Sequence, residues 1–335
     1  SATGNIVLNA NNTISHQGVM MPAEKITPTA NRSNFNQSTS SADNISLSAQ
    51  ADIHHNQGAT VANNKLSLKN TSTIHNQGGV LSANHTSIDT KDLRNGGIIQ
   101  ADVLAIKQQA DYTHTDNDKL LANSLQLSTD GKITNQSQLT ANQDLTLVAN
   151  HIDNTQTGTI SSGNHTQITS QTSINNQGLI NGETTVIKAN DTINTQSGGR
   201  IYGTHLAIQA DTLNNTPAKV KESDSKYTAP VIAARERLDI GVKMLNNNPN
   251  PDRAGKFNEN FDNQALITSL GSLHIGGNLD DNHYATGKAG AVINKGATIE
   301  SGGEMVVGTS VLKNENADFA TKTQSSSENI AVYHG

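Results

Sequence analysis

The chain repeats one short pattern about every twenty residues, and this repeat constrains the fold more than any other feature. Its clearest copy, IHNQGGVLSANHTSI at residues 74–88, combines an aliphatic residue, an Asn-Gln-Gly turn, further aliphatics, an Ala-Asn pair and an alternating stretch. A period of this length predicts a repeat architecture and excludes a single globular core. Copies begin at Ile14, Phe35, Ile53, Ile74, Leu93, Tyr112, Ile133, Ile152, Ile174, Ile193 and Leu213, with the weakest at Phe35, Tyr112 and Leu213.

Apolar residues alternate with polar ones inside each period. Leu145 and Leu147, for example, flank Thr146, which predicts a strand with one face turned inward. An aliphatic residue precedes each such pair by about six positions, and another opens the period, so three short strands fit into one repeat. No period contains a helical stripe long enough for a strand–helix–strand unit or a helical solenoid. We therefore predict an all-β fold: a parallel β-helix, or solenoid, with three short strands in each rung of about twenty residues.

An asparagine follows two positions after the leading aliphatic residue in many copies. Asn76, Asn154 and Asn176 share the strand face of Ile74, Ile152 and Ile174, so we expect their amides to point inward. Stacked side-chain amides satisfy both their donors and their acceptors along the axis. The alternative interpretation is that these amides bind a sugar.

The composition fits a narrow repeated core. Of 335 residues, 33% are hydrophobic and 3% aromatic, which is too little for one thick apolar centre. The net charge of −6 and the lack of a Lys/Arg cluster interleaved with aromatics argue against nucleic-acid binding. The absence of cysteine excludes disulfides and Cys-ligated zinc. No run of eighteen apolar residues occurs, and no signal-like segment begins at Ser1, so we expect a piece of a longer protein.

The spacing of the aliphatics divides the chain into three parts. Residues 1–213 are predicted to be regular β-helix repeats. Residues 214–264 are predicted to form one rung flanked by two projecting loops, 214–230 and 247–264, which are rich in Pro and charge. Residues 265–335 are predicted to form further, more irregular rungs that are truncated at the C-terminus.

The stretch Val231–Asn246 decides whether the core continues between the two loops. Its VIAARERL segment is also compatible with a helix. However, the spacing of Ile232, Leu238 and Ile240 recurs further along the chain, and therefore predicts a rung. The recurrences are Ile267, Leu273 and Ile275, and then Ile299, Met305 and Val307.

Two groups of residues in the sequence are candidates for chemical sites. Stacked histidines at 54, 55, 75, 85 and 165 are a possible metal site, but no carboxylate recurs beside them, so we predict outward-facing strand or turn positions and no metal. The nearest approach to a catalytic carboxylate pair is Asp280-Asp281 or Glu300 with Glu304, in irregular segments. We predict no enzymatic activity and no cofactor.

The two predicted loops concentrate charged and aromatic residues, which a spacer would not need. Because long loops between regular rungs are where a solenoid places recognition, we predict candidate binding residues there. These are Lys219, Lys221, Tyr227, Arg253, Phe257 and Phe261.

The ordered set of repeats resembles a known family. The recurring IxNQGxxxAN rungs, followed by RIYGTHLAIQADTLNN (200–215), APVIAARERLDIG (229–241) and ATGKAGAVINKGATIESGGEM (285–305), are similar to filamentous-haemagglutinin repeats. Such repeats occur in CdiA-type exoproteins of two-partner secretion, including effectors of contact-dependent growth inhibition. The VENN tetrapeptide that marks the toxin boundary in that family is missing, so the resemblance assigns no toxin activity.

The resemblance implies a right-handed β-helix stalk. It further implies export through an outer-membrane two-partner secretion transporter and display on the bacterial surface as a secreted, monomeric filament. The leading hypothesis is a structural stalk that presents a receptor-binding or toxin region to target cells. The alternative is direct adhesion, in which the loops at 214–230 and 247–264 themselves contact a target-cell receptor or glycan.

Overall fold

The computed structural model describes residues 4–219, 223, 227–249 and 264–316, and this part of the chain is a β-solenoid of about 14 turns. None of the described residues forms a helix, so no helix in them could cross a lipid bilayer. At about 4.8 Å per rung, the stack is roughly 65–70 Å long. The prediction of an all-β parallel solenoid is confirmed.

The strands of the first part are β1 (Asn5–Asn9), β2 (Thr13–Ser15), β3 (Gly18–Met20), β4 (Lys25–Ala30), β5 (Arg32–Asn34), β6 (Ser38–Ala49), β7 (Ile53–His54), β8 (Ala59–Asn70), β9 (Thr73–Asp89), β10 (Asp92–Gln108), β11 (Tyr112–His114) and β12 (Lys119–Thr129). The middle contains β13 (Lys132–Asn135), β14 (Gln138–Ala141), β15 (Asp144–Ala149), β16 (His151–Asn154), β17 (Thr159–Ser162), β18 (His165–Ser170), β19 (Ser173–Asn176), β20 (Leu179–Asn181), β21 (Thr184–Ala189) and β22 (Thr192–Gln196). The last part contains β23 (Arg200–Thr216), β24 (Val231–Asn247), β25 (Leu266–Ser269), β26 (Ser272–Gly276), β27 (Asn278–Leu279), β28 (Ala285–Thr286), β29 (Ala289–Lys295), β30 (Thr298–Ser301), β31 (Met305–Val307) and β32 (Thr309–Glu315).

The middle of the chain shows the predicted rung of three strands most clearly. First strands pair with first strands (β13, β16, β19), second with second (β14, β17, β20) and third with third (β15, β18, β21), all in parallel. Elsewhere a single strand such as β9 or β10 continues through the corners of its rung. The Asn and Gly corners let the chain turn without leaving the stack.

The core is one side chain deep, and it forms columns that run along the axis. Leu147 lies between Leu127 of the preceding rung and Ile168 of the following one, and all three are fully buried. Thr146, between Leu145 and Leu147, is only half-buried, as the alternation predicts. The sequence placed this pair against the rungs that begin at Ile133 and Ile152. In the structure the Ile133 rung is their own, and the preceding neighbour is the rung of Tyr112.

One repeat start was wrong by two residues. Ile14 pairs with Ser33, and Ser33 pairs with Ile53, so the second copy begins at Ser33 and not at Phe35. Phe35 is fully buried and takes the inward place that Asn fills in most other rungs. The prediction placed the start at Phe35 because it is the hydrophobic residue of NFNQS. The leading position of this rung instead holds a small polar residue, Ser33, that is also fully buried.

The stretch between the two predicted loops is a rung, as the spacing predicted. β24 pairs in parallel with β23 over most of its length, and Ile232 continues the column from Ile201 to Ile267 and Ile299. The strands extend further than predicted. β23 continues to Thr216 and β24 to Asn247, because Asn214 and Asn215 pair with Asn246 and Asn247.

A short antiparallel hairpin, β27–β28, interrupts the parallel stack after β26. It lies over the outer face of β24, so that Asp239 and Gly241 are buried although alternating positions normally face solvent. A Cβ at Gly241 would lie 2.4 Å from the backbone of Asn278, so only glycine fits beneath the hairpin. The repeat pattern of the sequence does not predict this hairpin.

Candidate functional site

The structure brings two of the predicted loop residues together. Lys219 Nζ lies 5.6 Å from the centre of the Tyr227 ring, within the range of a cation–π contact. The residues that flank this pair, Ala218 and Thr228, form an antiparallel bridge, in which Thr228 N–H donates to the carbonyl of Ala218 at 2.9 Å. The other four predicted residues, Lys221, Arg253, Phe257 and Phe261, lie outside the described residues.

The rung below anchors the base of this first loop. The Ser197 hydroxyl is buried and donates to the carbonyl of Lys219 at 3.0 Å. Ser197 and Gly198 both have positive φ, 52° and 82°, and a Cβ at Gly198 would approach Thr228 Cγ2 to 2.7 Å. This turn therefore depends on the close approach that glycine permits.

A cavity of about 600 Å³ opens beside the anchored base. It crosses three rungs, at residues 156–159, 177–179 and 197–202, and Thr228 closes one side. Its lining combines neutral hydrogen-bonding side chains with Arg200 and Tyr202, and none of the described residues that line it is a carboxylate. The sequence signal for this cavity is an Arg and a Tyr at 200 and 202, on the same strand face. Neither residue was predicted to bind a ligand.

A second cluster lies under the β27–β28 hairpin and was not predicted. The Arg237 guanidinium donates to both carboxylate oxygens of Asp239, at 2.5 and 3.0 Å, and stacks 4.2 Å from the centre of the Tyr284 ring. Asp239 Oδ1 also accepts the backbone N–H of Ala285 at 2.8 Å. A cavity of about 160 Å³ lies beside this group, with His205 and His283 in its lining. Arg237 and Asp239 thus join β24 to the hairpin through Tyr284 and Ala285, and the cluster holds the hairpin in place.

The histidines divide between the outside and the core. His54 and His75 stack on the outer face with ring centres 4.6 Å apart. His55 was expected to face outward, and this was wrong: it is fully buried in the column of the inward asparagines. In the part of the chain that is described, no three His, Asp or Glu side chains are grouped so that they could hold a metal ion.

The carboxylates considered for catalysis have separate structural partners. Asp280 Oδ1 accepts the backbone N–H groups of Asn282 and Tyr284, which shapes the hairpin turn. Glu300 accepts the Thr268 hydroxyl at 3.3 Å, and Glu304 lies 3.4 Å from His274 Nε2. These contacts form turns and cross-rung pairs.

The inward asparagines form the predicted ladder. Asn135 donates to Asn154 at 2.8 Å, and Asn154 donates to Asn176 at 2.8 Å, with all three amides buried. Asn76 likewise donates to Asn95, and a third run connects Asn215, Asn247, Asn294 and Asn314. Because Asn76, Asn154 and Asn176 have at most 1% of their surface exposed, the sugar-binding interpretation of these amides is wrong.

Two histidines occupy asparagine positions of this column and make hydrogen bonds like those of the asparagines. His114 Nε2 donates to the carbonyl of Gln138 at 3.0 Å, which is the contact that Asn135 makes with Thr159 one rung later. His55 Nδ1 donates to Asn76 Oδ1 at 3.0 Å, and its Nε2 accepts the Thr60 hydroxyl at 3.0 Å. Burial is the main cause that lowers the pKa of both histidines. Each ring is therefore held neutral as a structural member of the ladder.

Comparison with known proteins adds no relative to this description. No family model, no curated protein and no solved structure matches the chain.

Proposed function

We propose that this solenoid is a structural stalk of a secreted, surface-displayed filamentous protein, of the adhesin or contact-dependent growth inhibition kind, that presents a receptor-binding or toxin region to target cells. The observation that carries this proposal is the stack of about 14 turns, whose parallel pairing resumes after the β27–β28 hairpin. A stack of this kind holds its two ends roughly 65–70 Å apart with a core only one side chain deep.

Three further features favour a spacer. The amide ladder and the aliphatic columns tie each rung to the next, so the rod is stiff along its axis. In the two best-defined clusters of polar side chains, under the hairpin and in the inner column, Arg237, Asp239 and Asn154 have their partners inside the fold. The similarity of the repeats to those of two-partner secretion exoproteins supplies the remaining part of the proposal: an outer-membrane transporter as export partner and a cell-surface location.

The register provides a clean test of the stalk role. Lys132 pairs with His151 and Ile133 with Ile152, so deleting residues 133–151 removes one whole rung and joins Lys132 to Ile152 in phase. A deletion of residues 133–142 removes about half a rung and destroys the phase. We expect the first variant to fold and to be shorter by about 4.8 Å in small-angle scattering, and the second to lose cooperative unfolding.

The functional readout uses the exoprotein displayed on cells. If the segment is a stalk, loss of one in-phase rung leaves target-cell contact nearly unchanged, whereas removal of several rungs weakens contact in proportion to the length removed. Complete loss of contact after the single in-phase deletion, in a protein that still folds, would contradict the proposal.

Direct binding by the first loop is a second candidate, favoured by the cavity at its base and by the Lys219–Tyr227 contact. Replacing residues 217–230 by a short Gly-Ser link and measuring binding to target cells distinguishes the two. Unchanged binding rejects the loop.

A further inference from the structure

We propose that the cavity beside Arg200 and Tyr202 is a binding site for a carboxylated saccharide, that is, an oligosaccharide that contains a hexuronic acid. This site belongs to the wall of the solenoid and was not among the predicted binding residues. It is independent of the stalk role, since a rod can carry a ligand site on its side without changing its length.

The charge of the cavity selects an anion. Arg200 is exposed at the edge of the cavity, and among the described residues no carboxylate forms a salt bridge with its guanidinium. Among the described residues that line the cavity there is no Asp or Glu, although the whole chain carries a net charge of −6. A guanidinium offers the planar pair of N–H donors that a carboxylate accepts.

The rest of the lining selects a sugar. Gln156, Thr157, Gln177 and Thr228 provide neutral donors and acceptors that match hydroxyl groups. Tyr202 offers a half-buried ring, whose face suits the C–H side of a pyranose. One cation, one aromatic ring and several neutral polar groups in a volume of about 600 Å³ match a short acidic oligosaccharide.

The floor of the cavity disfavours a peptide. An extended peptide usually binds by adding a strand to an unpaired sheet edge. Here the floor is formed by Thr159, Leu179 and Arg200, which pair with one another in consecutive rungs, and Arg200 pairs onward with Val231. The backbone at these positions is already paired, so we expect recognition to come from side chains.

The test uses the whole chain and two matched probes: a short oligosaccharide containing glucuronic acid, and the same oligosaccharide with its carboxyl groups reduced to alcohols. Calorimetric titration is expected to show binding of the acidic probe and at least about tenfold weaker binding of the reduced one, a difference of about 1.4 kcal/mol. Binding of the acidic probe is expected to weaken as salt rises.

Three variants assign the effect to this site. Arg200→Gln is expected to lower affinity for the acidic probe at least about tenfold, while Arg200→Lys retains part of it. Tyr202→Ala is expected to weaken both probes by removing the ring. Arg235→Gln is the control, because Arg235 is an exposed arginine of the next rung that lines the neighbouring groove and not this cavity, although Tyr202 borders both. Thermal unfolding of each variant checks that the rod is intact.

Equal affinity for the two probes, or unchanged binding in Arg200→Gln, would overturn the proposal. So would an acidic peptide such as oligo-glutamate that binds as tightly as the saccharide, or no binding of the acidic probe at millimolar concentration. None of these results bears on the stalk, which the rung deletions test separately.

Discussion

Asn154 donates its side-chain amide to Oδ1 of Asn176 and also to the carbonyl of Leu179, at 2.8 and 3.0 Å. The second bond fixes the orientation of the amide, because only its nitrogen can donate to a carbonyl. On the outer face of the same strands a second ladder runs in the opposite direction, from Asn246 through Asn214, Asn194 and Asn175 to the carboxylate of Asp153. Where the two ladders overlap, both faces of the first strand are thus tied along the axis, one in the core and one near solvent.

The inner ladder has a gap at Thr195, which leads to a stabilising substitution. Thr195 pairs with Asn176 on one side and Asn215 on the other, yet Thr195 Oγ1 and Asn215 Oδ1 are buried without partners. Thr195→Asn is expected to donate to Asn215 and accept from Asn176, raising the free energy of unfolding by about 1 kcal/mol. Urea unfolding measures the change. Thr195→Val, which removes the hydroxyl without closing the gap, is the control, and a gain of equal size in that variant would exclude the ladder as the cause.

The column of Leu127, Leu147 and Ile168 predicts a sharp contrast between neighbouring positions. Leu147→Asp would place a carboxylate in a core without a cation, and is expected to cost several kcal/mol or to keep the carboxyl protonated. Thr146→Asp, on the outer face, should cost well under about 1 kcal/mol. Hydrogen exchange is expected to show lost protection in the rungs around Leu147 and retained protection near Ile299, because rungs contact only their neighbours. Equal losses for the two substitutions would contradict the inward assignment.

The buried His55 predicts a loss of stability in mild acid. Burial lowers the pKa of His55 below the ordinary value of 6.5, so the unfolded chain takes up a proton at a higher pH than the folded one does. The free energy of unfolding is therefore expected to fall as pH drops below about 6.5, and to keep falling until the lowered folded pKa is reached. Chemical unfolding between pH 8 and 5 measures this slope.

A rung-matched variant isolates the contribution of His55. In the next rung the equivalents of His55 and Thr60 are Asn76 and Leu81. His55→Asn combined with Thr60→Leu therefore copies a neighbouring rung and leaves no orphaned hydroxyl. We expect this double variant to lose less stability than the natural chain over the same pH range. Identical slopes would show that protonation of His55 does not cause the loss of stability in acid.

The pair of Arg237 and Asp239 predicts local loosening of the hairpin. Arg237→Met leaves the carboxylate of Asp239 buried with only the N–H of Ala285 as partner. Because the Arg237 side chain is 27% exposed, the expected cost is about 2–3 kcal/mol, below that of a fully buried pair. Amide exchange in residues 278–286 should accelerate first. Arg237→Met with Asp239→Leu is expected to recover much of the loss, and no recovery would mean that the pair orients the hairpin by geometry rather than by charge balance.

The sequence alone determined the repeated parts of this protein. A period of about twenty residues, the alternation at Leu145 and Leu147, and the shared parity of Ile152 with Asn154 were sufficient to predict the solenoid, its three strands and the inward ladder. Each of these features is written once per rung, so a single chain contains many copies of the same physical constraint. The rung of Val231–Asn246 was predicted for the same reason, despite a local pattern that also suits a helix.

Only the tertiary structure decided what happens once. Phe35 occupies an asparagine position, and the residue that opens its rung is Ser33, which only the pairing with Ile14 and Ile53 reveals. The hairpin over Asp239 joins residues that are far apart in sequence and have no periodic signal. The cavity at Arg200 crosses equivalent positions of three rungs, but Thr228, which closes one side, lies outside the repeat. In a solenoid the fold follows from contacts that recur at a fixed spacing, whereas a site arises where a departure from that spacing meets a neighbouring rung, and this meeting depends on the stacked chain as a whole.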